Sequence, residues 1–189
     1  MLNETENGVV TMVLNRPKAN AMGAEMLEEL GRTMDGLEST NSSARCLVVT
    51  SFSDRVFSAG ADLKERAKMT VPEAEAFVSR LRMTMDRVSR LPIPVIASME
   101  GVAVGGGLEL ALAADLRVAG ENSKMGLPET SLAIVPGAGG TQRLPRLIGA
   151  ARAKELIFTA RTLDSQTALE YGIVQHVVPA GEALNKATE

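Results

Sequence analysis

Three consecutive glycines run into a helix-forming stretch in Gly101-Val102-Ala103-Val104-Gly105-Gly106-Gly107-Leu108-Glu109-Leu110. Amides exposed at such a helix start are unsatisfied donors backed by roughly half a positive charge, where an oxyanion can develop. Glu109, within the first turn, could handle a proton beside that anion. A second backbone candidate is Ser58-Ala59-Gly60-Ala61-Asp62-Leu63, whose small side chains let a ligand approach the Ala61 N–H. The plainer account of that stretch is a tight turn with Asp62 capping a helix that begins at Leu63, and the two accounts are compatible. Glu109 lies on an otherwise apolar segment, residues 108–114, where a carboxyl needs a partner or a function. Glu129 follows Pro128, and a first-turn acid favoured by the helix dipole fits that pattern equally well. Twenty residues separate the two glutamates, so they meet only if the strand between them turns back.

Other chemistries lack their spacing. There is no Gly-x-x-x-x-Gly-Lys-Ser/Thr phosphate loop, neither glycine cluster matches Gly-x-Gly-x-x-Gly, and no Gly-x-Ser-x-Gly elbow occurs. His176, the single histidine, falls in an apolar strand pattern near the chain end, which favours a structural role over a catalytic base. With one cysteine, Cys46, it leaves too few soft ligands for a structural zinc site, and no internal disulfide can form. A net charge of −3 provides no electrostatic pull toward nucleic acid or an acidic membrane. The most apolar region, residues 94–120, is broken by Glu100, Glu109 and Asp115, so it reads as buried soluble structure and not a membrane span. Residues 1–6 show no basic patch followed by an apolar run, so no signal peptide is visible, and the composition fits a reducing compartment.

These groups must be positioned by elements the pattern partly reveals. At 189 residues a single domain, 1–189, suffices, and with aromatics at 3% the core must be built from Ala, Val, Leu, Ile and Met. Asn7-Gly8 is a favoured two-residue hairpin turn between strands at 2–6 and 9–14. Residues 23–37 repeat Met26, Leu27, Leu30, Met34 and Leu37 at helical spacing, with an acidic outer face. Strands are expected at 45–50, where Cys46 joins the core, and at 94–98, 116–119 and 173–178. Helices are expected at 72–90, 151–159, 165–172 and 182–188. Glycine and proline thicken from Pro128 through Val135-Pro136-Gly137-Ala138-Gly139-Gly140 to Leu144-Pro145, marking loops where sites are often built. Alternating strands and helices argue for an α/β layer fold.

Phe57-Ser58-Ala59-Gly60-Ala61-Asp62-Leu63-Lys64, Gly105-Gly106-Gly107-Leu108-Glu109-Leu110, and Pro128-Glu129 followed by Pro136-Gly137-Ala138-Gly139-Gly140-Thr141-Gln142-Arg143-Leu144 together resemble the enoyl-CoA hydratase/isomerase (crotonase) superfamily. The likeness runs from about residue 8 to 179, and the stretch 61–69 looks like its methylglutaconyl-CoA hydratase-like branch. The resemblance implies an α/β crotonase-like spiral of ββα repeats, with a C-terminal helical part truncated at Glu189 that would otherwise complete a homotrimer or dimer of trimers. It implies an oxyanion hole from the N–H groups of Ala61 and Gly106, and Glu109 and Glu129 as the acid/base pair for adding water to an enoyl-CoA. Gly137 matches the backbone that places that water. Lys18, Ala19, Ala59, Ala61, Asp62 and Leu63 correspond to CoA contacts. Acyl-CoA is then the substrate partner, no metal or cofactor is required, and the compartment would be the mitochondrial matrix in a eukaryote or the cytoplasm otherwise. Isomerase or another acyl-CoA activity is the alternative. RNA binding, which the branch also suggests, is opposed by the five acids against one arginine on the 23–38 helix, and a catalytically silent scaffold is the third reading.

Overall fold

The computed structural model describes residues 2–5, 7–39 and 42–189. Alternation in Val9–Leu14 makes strand β2, with Val10, Met12 and Leu14 turned inward, and Leu2–Glu4 pairs antiparallel with it as β1. The turn between them is closed by Gly8 N–H to Thr5 O (2.9 Å) and Thr5 N–H to Val9 O (3.0 Å). It is therefore one residue longer than the expected two-residue turn, with Gly8 at φ +75°. Glu6, expected at the strand end, lies outside the described residues. Helix α1 (Ala24–Leu37) buries Met26, Leu27, Leu30, Met34 and Leu37, the stripe that its spacing defines, and leaves its acidic face in water.

From there one unit repeats: a strand in a large sheet, a shorter strand in a small sheet, then helix. The first is β3 (Cys46–Ser51), β4 (Val56–Ser58), α2 (Leu63–Arg66) and α3 (Val71–Val88). The second is β5 (Val95–Met99), β6 (Val102–Val104) and α4 (Gly106–Ala113). The third is β7 (Leu116–Gly120), β8 (Lys124–Gly126), a 3-10 turn (Pro128–Leu132) and α5 (Gly140–Ile148). The chain closes with α6 (Ala150–Thr159), β9 (Thr162–Asp164), α7 (Ser165–Glu170), β10 (His176–Val178) and α8 (Ala183–Thr188).

The large sheet runs β1-β2-β3-β5-β7-β10 and the small one β4-β6-β8-β9. Strands β3, β5 and β7 are parallel neighbours, as are β4, β6 and β8, so each ββα unit stacks on the last and the chain advances as a spiral. Helix α4 runs through the middle against α3, α5, β4 and β6, and all eight of its residues are buried. On the other face of the large sheet, Val48 and Val118 pack against Ala183 and Ala187 of α8.

Several expectations are corrected. Cys46 is half-buried at a strand start, packed against the Val48, Val118, Ala183 and Ala187 cluster and not enclosed in it; burial, with Asp115 adding, pushes its thiol up. Only His176–Val178 of the expected 173–178 strand joins the ladder, because Ile173 N–H turns back to Ala168 O (2.8 Å) at the end of α7. His176 is exposed. Pro145, expected in a turn, lies inside α5, where buried Leu144 and Ile148 anchor the helix across the lost hydrogen bond. The glycine triplet does not precede α4: the helix opens within it, at Gly106.

Candidate functional site

Strands β4, β6 and β8 end side by side, and each hands over to one part of the site, as parallel strands do at their carboxyl ends. After β4, Gly60 turns at φ +83°; a Cβ there would lie 2.8 Å from Gly106 N. Met22 N–H bonds Gly60 O (2.7 Å) and Asp62 N–H bonds Met22 O (3.0 Å), which fixes Ala61 between them. The Ala61 N–H itself has no hydrogen-bond partner among the described residues. The Asp62 carboxylate accepts from the N–H groups of Lys64 and Glu65 (3.1 Å each) and pairs with Arg16 at 2.8 Å. Those backbone donors and Arg16 hold it below the usual carboxylate range, so it caps α2.

After β6 each glycine of the triplet meets a different demand. Gly105 takes φ +55°, and its N–H bonds Gly126 O at 3.0 Å. Gly106 opens α4 beside Ala61 N, and its own N–H is also without a partner among the described residues. Gly107 packs against the β4 backbone, since a Cβ there would stand 2.2 Å from Ser58 O.

Glu109 is 2% exposed, and its Oε1 accepts from Ala138 and Gly140 N–H at 2.8 Å each. Burial pushes its carboxyl up, while the two amides and the charge of Arg143 pull it back. Glu129, in the first turn of the 3-10 segment after β8, is 9% exposed, and its buried Oε2 has no partner among the described residues. Its carboxyl is pushed up to about 7, chiefly by burial, with the charge of Glu109 adding. The strand between the two glutamates does turn back: both line one cavity of about 290 Å³ with Ala59, Ala61, Gly106 and Gly137. Gly137 O accepts from Arg82 Nε at 3.3 Å, and its N–H has no partner among the described residues. Phe77, Val78 and Leu81 of α3, with Leu132 and Ile134, form the apolar wall.

Leu63 lines the cavity too, but Lys18, Ala19 and Asp62 do not. Lys18, at φ +77°, and Ala19 border a neighbouring concavity with Arg16 and Phe52. That loop is strapped to the β4 exit by Ala59 N–H to Ala19 O (2.9 Å), Asn20 Nδ2 to Phe57 O (3.0 Å) and Ser58 Oγ to Asn20 O (2.8 Å). Asn20 and Ser58 are fasteners to which the motif reading assigns no role, although Ser58 stands inside the Phe57–Lys64 motif and Asn20 directly follows Lys18 and Ala19. His176 lies on β10, away from the cavity.

Two amides without partners facing two buried carboxyls define a centre that can hold an oxyanion and move protons. Residues 4–189 match the enoyl-CoA hydratase/isomerase family, and the chain belongs to it. Methylglutaconyl-CoA hydratase, mitochondrial, of Mus musculus is 49% identical over 178 residues, covering 94% of this chain and 56% of that protein. Enoyl-CoA hydratase domain-containing protein 2, mitochondrial, of Mus musculus is 49% identical over 181 residues, covering 95% of this chain and 61% of that protein. The crystal structure of enoyl-CoA hydratase from Bacillus anthracis matches with a TM-score of 0.95 at 47% identity, covering 100% of this chain and 73% of that one. The chain thus spans less than two thirds of the length of those two curated relatives.

Proposed function

We propose that this chain carries the catalytic centre of a hydratase that adds water across the 2,3 double bond of an enoyl-CoA thioester. One observation carries the reading: the partnerless amides of Ala61 and Gly106 share a cavity with two carboxyls of unequal environment. The thioester oxygen sits between the two amides, which stabilise the negative charge that grows on it by roughly 3 kcal/mol per donor. Glu109, held by two N–H donors, is the base: it takes a proton from water as the water oxygen bonds the β-carbon. The Gly137 N–H helps place that water. Glu129, which keeps its proton up to about 7, delivers it to the α-carbon as the enolate collapses. The proton taken up by Glu109 passes through solvent to Glu129 before the next turnover, so that over a full cycle water supplies every atom added and the reaction requires no metal and no redox cofactor.

Ala59, Ala61 and Leu63 are assigned to the thioester end of CoA, and Lys18, Ala19 and Asp62, one loop away, to the part outside the cavity. The large apolar side chains of Leu132, Val135 and Phe158 stand 53%, 68% and 71% exposed, and we assign their cover to further copies of the chain in a homotrimer or dimer of trimers. The compartment follows the host: the mitochondrial matrix in a eukaryote, in line with the names of the mouse relatives, and otherwise the cytoplasm. Incubation with crotonyl-CoA should remove the conjugated enoyl absorbance and yield the 3-hydroxyacyl product. Unchanged absorbance, or a shifted double bond without hydration, would overturn the proposal.

A further inference from the structure

The loop that supplies both amides to Glu109 is itself held from behind. Its peptide groups divide between two sides. The Ala138 and Gly140 N–H groups donate to the Glu109 carboxyl. On the other side Gly137 O accepts from Arg82 Nε (3.3 Å), Ala138 O from Arg143 Nη1 (3.1 Å), and Gly139 O from the Gln142 and Arg143 amides (2.9 and 2.8 Å). Arg82 and Asp86 stand four residues apart on α3, and so on one face of it; Arg143 Nη2 reaches Asp86 Oδ1 at 2.7 Å and Ser89 Oγ at 3.3 Å. One guanidinium thus joins the loop to the helix whose Phe77, Val78 and Leu81 wall the cavity. Its planar fork serves two acceptors at once, which the single ammonium of a lysine does less well. Gly139, at φ +112°, leaves the guanidinium its place, since a Cβ there would run into Arg143 Nη1.

Arg143 does not line the cavity, so it acts through this loop and through its charge. The other charges around Glu109 are placed differently. Glu129 shares the cavity from the 3-10 turn, Arg66 lines it from α2, and Arg82 and Asp86 come from α3. Arg146 of α5 is exposed and bonded to Gln142 O, and the strands β4 and β6 carry no charge. Burial pushes the Glu109 carboxyl up, the Gly140 and Ala138 amides pull it back, and the charge of Arg143 adds to that pull. We propose that Arg143, braced on α3 by Asp86, is a positioning residue of the hydration: it keeps the 137–140 loop on Glu109 and supplies the positive charge that holds Glu109 as the carboxylate base. The inference rests on the hydratase reading for the role of Glu109, but the ionisation of that carboxyl can be followed without turnover.

The pH profile of kcat/KM with crotonyl-CoA separates this role from a purely structural one. A base is lost as pH falls through its titration, so removing the cation should move the acid limb to higher pH. In Arg143→Met and Arg143→Gln, the second of which keeps a donor for the Ala138 carbonyl, the loss at pH 5 should exceed the loss at pH 8 by roughly threefold or more. Arg143→Lys should bring the limb back toward the wild type. The alkaline limb, set by Glu129 at about 7, should stay in place. Glu109 itself can be followed by carbon-13 NMR of the glutamate-labelled chain, its resonance assigned by its absence in Glu109→Gln, and its midpoint should rise in Arg143→Met and Arg143→Gln. An unmoved midpoint in both overturns the proposal, however much rate is lost, because Arg143 then only braces the loop. A rise in Arg143→Lys as large as in Arg143→Met also overturns it, because the charge is then not what acts. If the midpoint moves as expected but the wild-type chain hydrates no crotonyl-CoA, the hydratase reading fails and the hold of Arg143 on Glu109 stands.

Discussion

Glu109 and Glu129 are the same residue type, both buried on one cavity, and their surroundings differ, which is the ground for giving them opposite roles in the proposed reaction. Two amides donate to Glu109, whereas Glu129 has a buried oxygen with no donor among the described residues. Replacing either by Gln should lower kcat by roughly 10²- to 10⁴-fold while leaving cooperative unfolding intact, checked by steady-state kinetics and thermal melts. The raised carboxyl of Glu129 also makes stability depend on pH. Its folded value, about 7, lies above the ordinary 4.5, so between those values the folded chain holds a proton that the unfolded chain has released. Stability attributable to this group is therefore present below about pH 4.5 and falls as pH rises through about 7. Urea unfolding at pH 4, 6 and 8 should find Glu129→Gln more stable than wild type at pH 8 and no more stable at pH 4. Wild-type kcat should decline as pH rises through the same upper value, where the acid loses its proton.

At the level of elements, the site depends on three short strands ending together and on a helix that starts as close to them as glycine allows. Gly106 and Gly107 separate chemistry from packing. A methyl at Gly106 would meet Ala61 N, Gly60 Cα and Met22 Sδ at 3.5–3.6 Å, which is ordinary contact, but it would fill the space before both amides. Gly106→Ala should therefore melt near wild type and lose roughly 10²- to 10³-fold in kcat/KM. Gly107→Ala would force a methyl to within 2.2 Å of Ser58 O, a backbone atom that must move, and should destabilise by about 1–3 kcal/mol or more in urea titration. The strands expected from sequence, at 2–6, 9–14, 45–50, 94–98, 116–119 and 173–178, are the six of the large sheet. None of the small sheet's strands was expected. Each is three residues long, too short to display an alternation, and is held as strand by its neighbours.

Over the whole molecule, the spiral is pinned at its centre by a residue whose sequence context is only an apolar strand. Arg117 is 4% exposed and donates to Ile173 O (2.6 Å), Ala114 O (2.7 Å), Ala111 O (3.3 Å) and Gln175 Oε1 (3.3 Å). It thereby ties β7 to the end of α4 and to the segment before β10. Arg117→Met would leave these buried acceptors without their donor, and should cost about 3 kcal/mol or more, read as a lowered urea midpoint. Because that cost falls on the C-terminal end of α4, activity at low temperature should survive better than stability.

Local pattern determined the parts whose cause is local. The α1 stripe follows from residues three and four apart, the caps at Asp62 and Asp164 from their own side chains, and the longer large-sheet strands β2, β3, β5 and β7 from apolar runs of five or six residues. The glycine loops and the two glutamates were visible as motifs because backbone approach and proton transfer require particular residue types. Only the tertiary structure decided that β8 brings Glu129 back to Glu109, that Glu109 receives two amides while Oε2 of Glu129 has no donor among the described residues, and that Lys18 borders a different concavity from Ala61. Those outcomes depend on burial and on partners some thirty residues distant, such as the Ala138 and Gly140 amides on Glu109. Stacking of the ββα units creates these surroundings, and no window of the chain contains them.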